Sequence, residues 1–126
     1  MIVASILLPE VTLENVPDIL DIQKIIDILT DLGAKICRQG HTLKISCRNL
    51  HFKNPNPRLV EQIRASVVLV GPMLARFGRI KISHPGGCTL GRRPIDRHIK
   101  AFRDLGAQVK EINDCYEFSY NAKVNF

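Results

Sequence analysis

The chain has 126 residues, 45% of them apolar, and a formal net charge of +6. That is enough for one compact domain with a real core, and no apolar run reaches the roughly 18 residues a membrane span needs. The charge suits an anionic ligand, a nucleic acid or an acidic partner, but a chain with no Trp is a poor base-stacking surface for single strands.

The opening, MIVASILLPE, lacks the positive n-region of a signal peptide; its apolar run reads as the tail of a buried helix whose beginning is missing. With no export signal, the cysteines Cys37, Cys47, Cys88 and Cys115 are expected to be reduced thiols in the cytosol. None forms a CxxC pair, so a zinc or thioredoxin-like reading is poor; no metal and no cofactor are expected. EVTLENVP predicts a strand. Ile22, Ile25, Ile26, Leu29 and Leu32 then recur at spacings of three and four, one face of a helix that ends at Gly33. AKICRQG and HTLKIS alternate and form a hairpin turning at Gln39-Gly40.

HFKNPNP is a stiff connection. The stretch NPNPRLVEQIRASVVLVGPMLARFG reads as one capped helix, which Pro72 kinks or breaks near Gly71. RIKIS is a strand. After the loop HPGGCTLGRRPID comes a second helical pattern, Ile95, Ile99, Phe102 and Leu105, ending at Gly106. AQVKEIND and CYEFSY form a second hairpin, turning at Asn113-Asp114. Asp-Leu-Gly-Ala occurs at Asp31 to Ala34 and again at Asp104 to Ala107. The chain therefore repeats itself, over approximately residues 10–50 and 79–121. Each unit is helix, strand, helix, hairpin, and residues 1–126 make one partial domain. The class is α/β or α+β, with sheets covered by helices.

The loop carries the chemistry. Gly86, Gly87 and Gly91 flank Cys88 and can bury almost nothing, so the thiol is expected to be accessible and the segment Gly86 to Arg92 mobile. Arg92 and Arg93 follow four and five residues later, and nearby cations stabilise a thiolate. Pro94 fits the first turn of a helix whose positive dipole end adds to that field. Such a thiol beside an anion-binding helix start is a catalytic arrangement. The competing reading is a tight turn with a small residue in it.

RASVVLVGPMLARFGRIKISHPGGCTLGRRPIDRHIKAFRDLGA closely resembles the UDP-N-acetylglucosamine enolpyruvyl transferases (1-carboxyvinyltransferases), bacterial enzymes of peptidoglycan synthesis. The specific element is Pro-Gly-Gly-Cys followed by Gly and by Arg-Pro-x-Asp-x-His; VTLENVPDILDI and LGAK extend the likeness. The resemblance implies the inside-out barrel of repeated helix-sheet units, about two incomplete ones here. It also implies transfer of the enolpyruvyl group of phosphoenolpyruvate to the 3-hydroxyl of UDP-N-acetylglucosamine, in the cytoplasm, by a fosfomycin target.

By the same resemblance Cys88 is the proton donor and forms a covalent adduct with phosphoenolpyruvate. Arg93, Pro94, Ile95, Asp96 and Arg97 match the segment that holds the UDP-sugar, and Arg64 matches an arginine that contacts it. Asp96 has a second reading, as a cap of the following helix, and Arg97 stands where the family commonly has leucine. Cys37, Cys47 and Cys115 are read as packing residues on strands. The family's N-terminal Lys-Asn pair and its second domain are not in this sequence, so the isolated chain is expected to be inactive. Two other readings stay open: a non-catalytic protein that binds a UDP-sugar or a partner, and, from charge alone, a nucleic-acid-binding module.

Overall fold

The structure, a computed structural model, describes residues 1–84 and 95–121. The first unit starts with a 3₁₀ segment, η1 (Val3–Leu7), and β1 (Glu10–Leu13). It continues through α1 (Leu20–Asp31), β2 (Lys35–Gln39) and β3 (Thr42–Ser46). The expected helix tail is thus 3₁₀ rather than α, with Val3, Ser5 and Ile6 buried. The second unit follows as α2 (Pro57–Val60), η2 (Arg64–Leu69), α3 (Val70–Phe77), β4 (Arg79–Ser83), α4 (Asp96–Asp104), β5 (Gln108–Ile112) and β6 (Cys115–Ser119).

Each unit forms one three-stranded antiparallel sheet, and the orders correspond: β1-β3-β2 and β4-β6-β5. The first and second strands of a unit flank the third, and a helix carries the chain across. Two helix-sheet units with antiparallel pairing make the fold α+β. Alternation sends Leu43 and Ile45 of β3, Ile80 and Ile82 of β4, and Phe118 of β6 into one core. Each of these contributes about 1.5–3 kcal/mol by leaving water.

The helix ends show why Asp-Leu-Gly-Ala recurs. Gly33 and Gly106 have φ of +104° and +95°. In the first copy Gly33 N–H donates to Thr30 O and Ala34 N–H to Leu29 O, both at 3.0 Å. In the second, Gly106 N–H donates to Arg103 O and Ala107 N–H to Phe102 O, both at 2.9 Å. These are Schellman closures, which satisfy the last carbonyls of the helix and turn the chain into the next strand.

Four local expectations change. The stretch from Pro57 to Phe77 is three pieces, not one helix, and the break falls at Glu61 to Ile63. Pro72 sits in the first turn of α3, where a missing N–H costs least. The first hairpin turns at Gly40-His41, because Gln39 is still paired with Thr42 in the ladder. Gly40, with φ +58°, takes the first turn position, where a two-residue hairpin needs positive φ. In the second hairpin Asn113 and Asp114 both have positive φ, as a type I′ turn requires. Leu105, the C-cap of α4, is exposed despite its place in the apolar pattern, whereas Leu32, the C-cap of α1, is buried.

Arg76 of α3 joins the two units. Its Nη1 donates to Ile6 O at 2.6 Å and its Nη2 to Cys47 O at 2.9 Å. Ile6 lies in η1 and Cys47 just after β3, where its carbonyl also accepts the Leu50 N–H at 3.3 Å.

Candidate functional site

Arg64 is the first residue of η2 and is half-buried. Its position follows from the corner between α2 and η2. Asn56 caps α2, accepting the Arg58 N–H at 3.0 Å, with Pro57 in the first turn. Four residues later the helix stops, and Ile63 turns into extended backbone to bury its side chain. Buried Ser66 then donates to both Val60 O at 3.0 Å and Ile63 O at 2.8 Å. It supplies the donor that a continuous helix would have given those carbonyls. Ser66 lies inside the quoted RAS stretch but received no role from the sequence; its being the polar residue of an otherwise apolar run was the available signal. Ser66→Ala should lower the unfolding free energy by roughly 1–3 kcal/mol, the cost of a buried unpaired acceptor. Chemical denaturation measures it, and an unchanged midpoint would remove Ser66 from the corner.

Ile95, Asp96 and Arg97 lie together at the start of α4. Ile95 is fully buried and is the residue before the first helical turn; among the described residues no side chain caps that end. Its role in this structure is to anchor the helix start in the core. Asp96 is therefore not the N-cap. It is exposed in the first turn, where a carboxylate is favoured by the helix dipole. Arg97 and His98 are also exposed. Asp96 opens onto a cleft of about 370 Å³ whose other walls include Lys100, Arg103, Glu111 and Tyr116. Arg64 lies on the α2–η2 corner. Cys88, Arg93 and Pro94, and with them the expected mobility of Gly86 to Arg92, lie outside the described residues.

The last described residue before that segment is His84, at the end of β4. Its Nε2 is 2.9 Å from Tyr116 Oη and 3.9 Å from Glu111 Oε1. The two rings meet edge-on, with centroids 4.7 Å apart. His84 opened the quoted loop sequence, but nothing in sequence pattern joins it to residues of a distant hairpin; only the sheet register does.

The remaining cysteines divide. Cys47 lies just after β3, is fully buried, and burial pushes its thiol up, opposed more weakly by the Ser5 hydroxyl and the charge of Arg76. Cys115 is half-buried at the start of β6. Cys37 is exposed on β2, opposite Lys44, so it is not a packing residue; the outward phase of a one-sided strand put it in solvent. Among the described residues no group of three His, Cys, Asp or Glu could hold a metal ion. No described helix is long and apolar enough to cross a membrane.

Comparison with known proteins gives a consistent picture. The chain is 42% identical over 112 residues to UDP-N-acetylglucosamine 1-carboxyvinyltransferase of Wolbachia pipientis subsp. Culex pipiens, covering 83% of this chain and 26% of the relative. It is 47% identical over 98 residues to UDP-N-acetylglucosamine 1-carboxyvinyltransferase 2 of Clostridium acetobutylicum, covering 78% and 23%. The chain thus spans about a quarter of the length of the curated relatives it matches. The crystal structure of the enolpyruvyl transferase NikO from Streptomyces tendae superposes with a TM-score of 0.78 at 18% identity, over 94% of this chain and 26% of that one. That likeness shows the fold. The family described as EPSP synthase (3-phosphoshikimate 1-carboxyvinyltransferase) matches residues 1–124, and with its two helix-sheet units the chain belongs to that family.

Proposed function

We propose that this chain supplies the thiol segment and part of the sugar-nucleotide site of a UDP-N-acetylglucosamine enolpyruvyl transferase acting in the cytoplasm in peptidoglycan synthesis. The observation that carries the reading is the identity to the 1-carboxyvinyltransferases, at 40% or above in several of them, joined to the Pro-Gly-Gly-Cys segment that leads into α4. In the reaction the sugar 3-hydroxyl oxygen bonds to C2 of phosphoenolpyruvate and gives up its proton, as Cys88 delivers a proton to the methylene carbon. The tetrahedral adduct then loses phosphate, which carries away the hydroxyl proton, and a methyl proton, which returns to the Cys88 thiolate and restores the double bond. Both substrates are polyanions, and the +6 chain offers Arg64, Arg93 and Arg97 to them. Arginine suits this work because its fork reads phosphate through two hydrogen bonds. Ile95 fixes the helix start, Pro94 precedes it in the sequence, and Asp96 presents a carboxylate in the first turn. No metal or cofactor takes part in this scheme.

Saturating UDP-N-acetylglucosamine should change the alkylation rate of Cys88 at least about threefold, and Arg64→Ala should require roughly tenfold more ligand for the same change, the loss of one charge-assisted contact. Peptide mapping by mass spectrometry reads both. A Cys88 rate indifferent to the ligand at millimolar concentration, in chain that remains folded, would overturn the assignment.

A further inference from the structure

The two 3₁₀ segments begin alike. Ile2-Val3-Ala4-Ser5 and Ile63-Arg64-Ala65-Ser66 share Ile, Ala and Ser. In each the isoleucine precedes the first 3₁₀ residue and the serine is the third. Both serines are buried, and each donates to the isoleucine carbonyl three residues back, Ser5 to Ile2 O and Ser66 to Ile63 O. The same local device thus occurs twice, and it differs at one position. The first 3₁₀ residue is Val3, buried in the core, in one copy and half-buried Arg64 in the other.

The second serine does one thing more. A hydroxyl has a single hydrogen to give, and besides Ile63 O this one faces the carbonyl of Val60, the last residue of α2, at 3.0 Å. Ile63 O and the Arg64 N–H belong to one rigid peptide plane. The hydroxyl therefore ties the plane that carries Arg64 to the end of the preceding helix. The 3₁₀ segment holds its own start poorly, because its hydrogen-bond geometry is strained and among the described residues no side chain caps it. Arginine bears its charge at the end of a long side chain. A small rotation of the plane swings the guanidinium well beyond the ~0.5 Å within which a binding contact must be held. Ser66 is 0% exposed and cannot itself touch a ligand.

We propose that Ser66 is a positioning residue for Arg64, and through it for binding of the sugar nucleotide. The proposal rests on the reading of Arg64 as a contact of the UDP-sugar. Ser5, which holds Val3 by the same hydrogen bond, is the counterpart without the arginine.

The test measures binding of UDP-N-acetylglucosamine to the 126-residue chain by ligand-detected NMR titration, at a temperature where every variant compared is folded. Ser66→Ala should raise Kd at least about threefold, and in an Arg64→Ala background the same substitution should change Kd by less than about 1.5-fold, because the contact it positions is already gone. Ser5→Ala, which removes the equivalent hydrogen bond, should leave Kd within that margin. A merely structural serine would show neither contrast. Should Ser66→Ala fail to fold, Ser66→Cys, a weaker donor, carries the same expectation. An unchanged Kd in the folded Ser66 variant, an equal loss with and without Arg64, or an equal loss in Ser5→Ala overturns the proposal. If the unsubstituted chain does not bind, or Arg64→Ala binds as well as it does, the reading of Arg64 itself fails, and the proposal with it.

Discussion

Cys47 should be the slowest thiol in the folded protein, by at least about a hundredfold relative to Cys37. It is fully buried, and burial raises its thiol against the weaker opposing influence of Ser5 and Arg76. Reagent can reach it only after local opening, and an opening that costs about 3 kcal/mol already slows modification about a hundredfold. Cys37, exposed on β2, is the reference. Timed alkylation with mass mapping checks this, and comparable rates for the two would mean that the region behind β3 opens freely. The same thiol gives the stability a pH dependence. A thiol whose folded pKa is raised keeps its proton when the unfolded chain has lost it. The native state then binds more protons, and stability falls as pH rises above roughly 8.5, the ordinary thiol value. The slope attributable to Cys47 is at most about 1.4 kcal/mol per pH unit. It should appear as the difference between the unsubstituted chain and Cys47→Ala in denaturation curves from pH 7 to 10. Parallel curves would exclude it.

The 126-residue polypeptide, assayed alone with phosphoenolpyruvate and UDP-N-acetylglucosamine, should release no measurable phosphate. It spans about a quarter of the length of the transferases it resembles. Enolpyruvyl transfer needs a proton donor, groups that stabilise the developing charge, and exclusion of water, all placed at once. Losing one positioned electrostatic group costs about a hundred- to a thousandfold, and the groups supplied by the other three quarters of those enzymes are absent together. Turnover that Cys88→Ala abolishes would show instead that these residues suffice.

What could be read from the sequence was the part set by local periodicity. The α1 face, the alternating strands and both Asp-Leu-Gly-Ala closures follow from residues close in the chain, and the structure places them as expected. The misreadings have a common origin in tertiary demands. Ile63 leaves the helix to reach the core, and Ser66 takes over two carbonyls in consequence. Leu105 continues the apolar spacing of α4 yet is exposed, although Leu32 at the same place in α1 is buried. The pairing of His84 with Tyr116 spans 32 residues and depends on the antiparallel register of β4 on β6, which no short window contains. At the start of α4, the motif singled out Asp96 and Arg97 as candidates, but it did not reveal that Ile95 is fully buried.

The repeat is uneven in one respect. The crossover helix α1 buries Ile25, Ile26, Ile28 and Leu29, whereas α4, its counterpart, buries Ile99 alone. Helices of equivalent place in the two units are thus held by very different amounts of apolar contact. Backbone amides of α4 should exchange with deuterium well before those of α1, through a local opening that leaves the first unit intact. The helix that bears Asp96 and Arg97 would then be the yielding partner and α1 the fixed one, so that a ligand settling on α4 meets a surface it can still order.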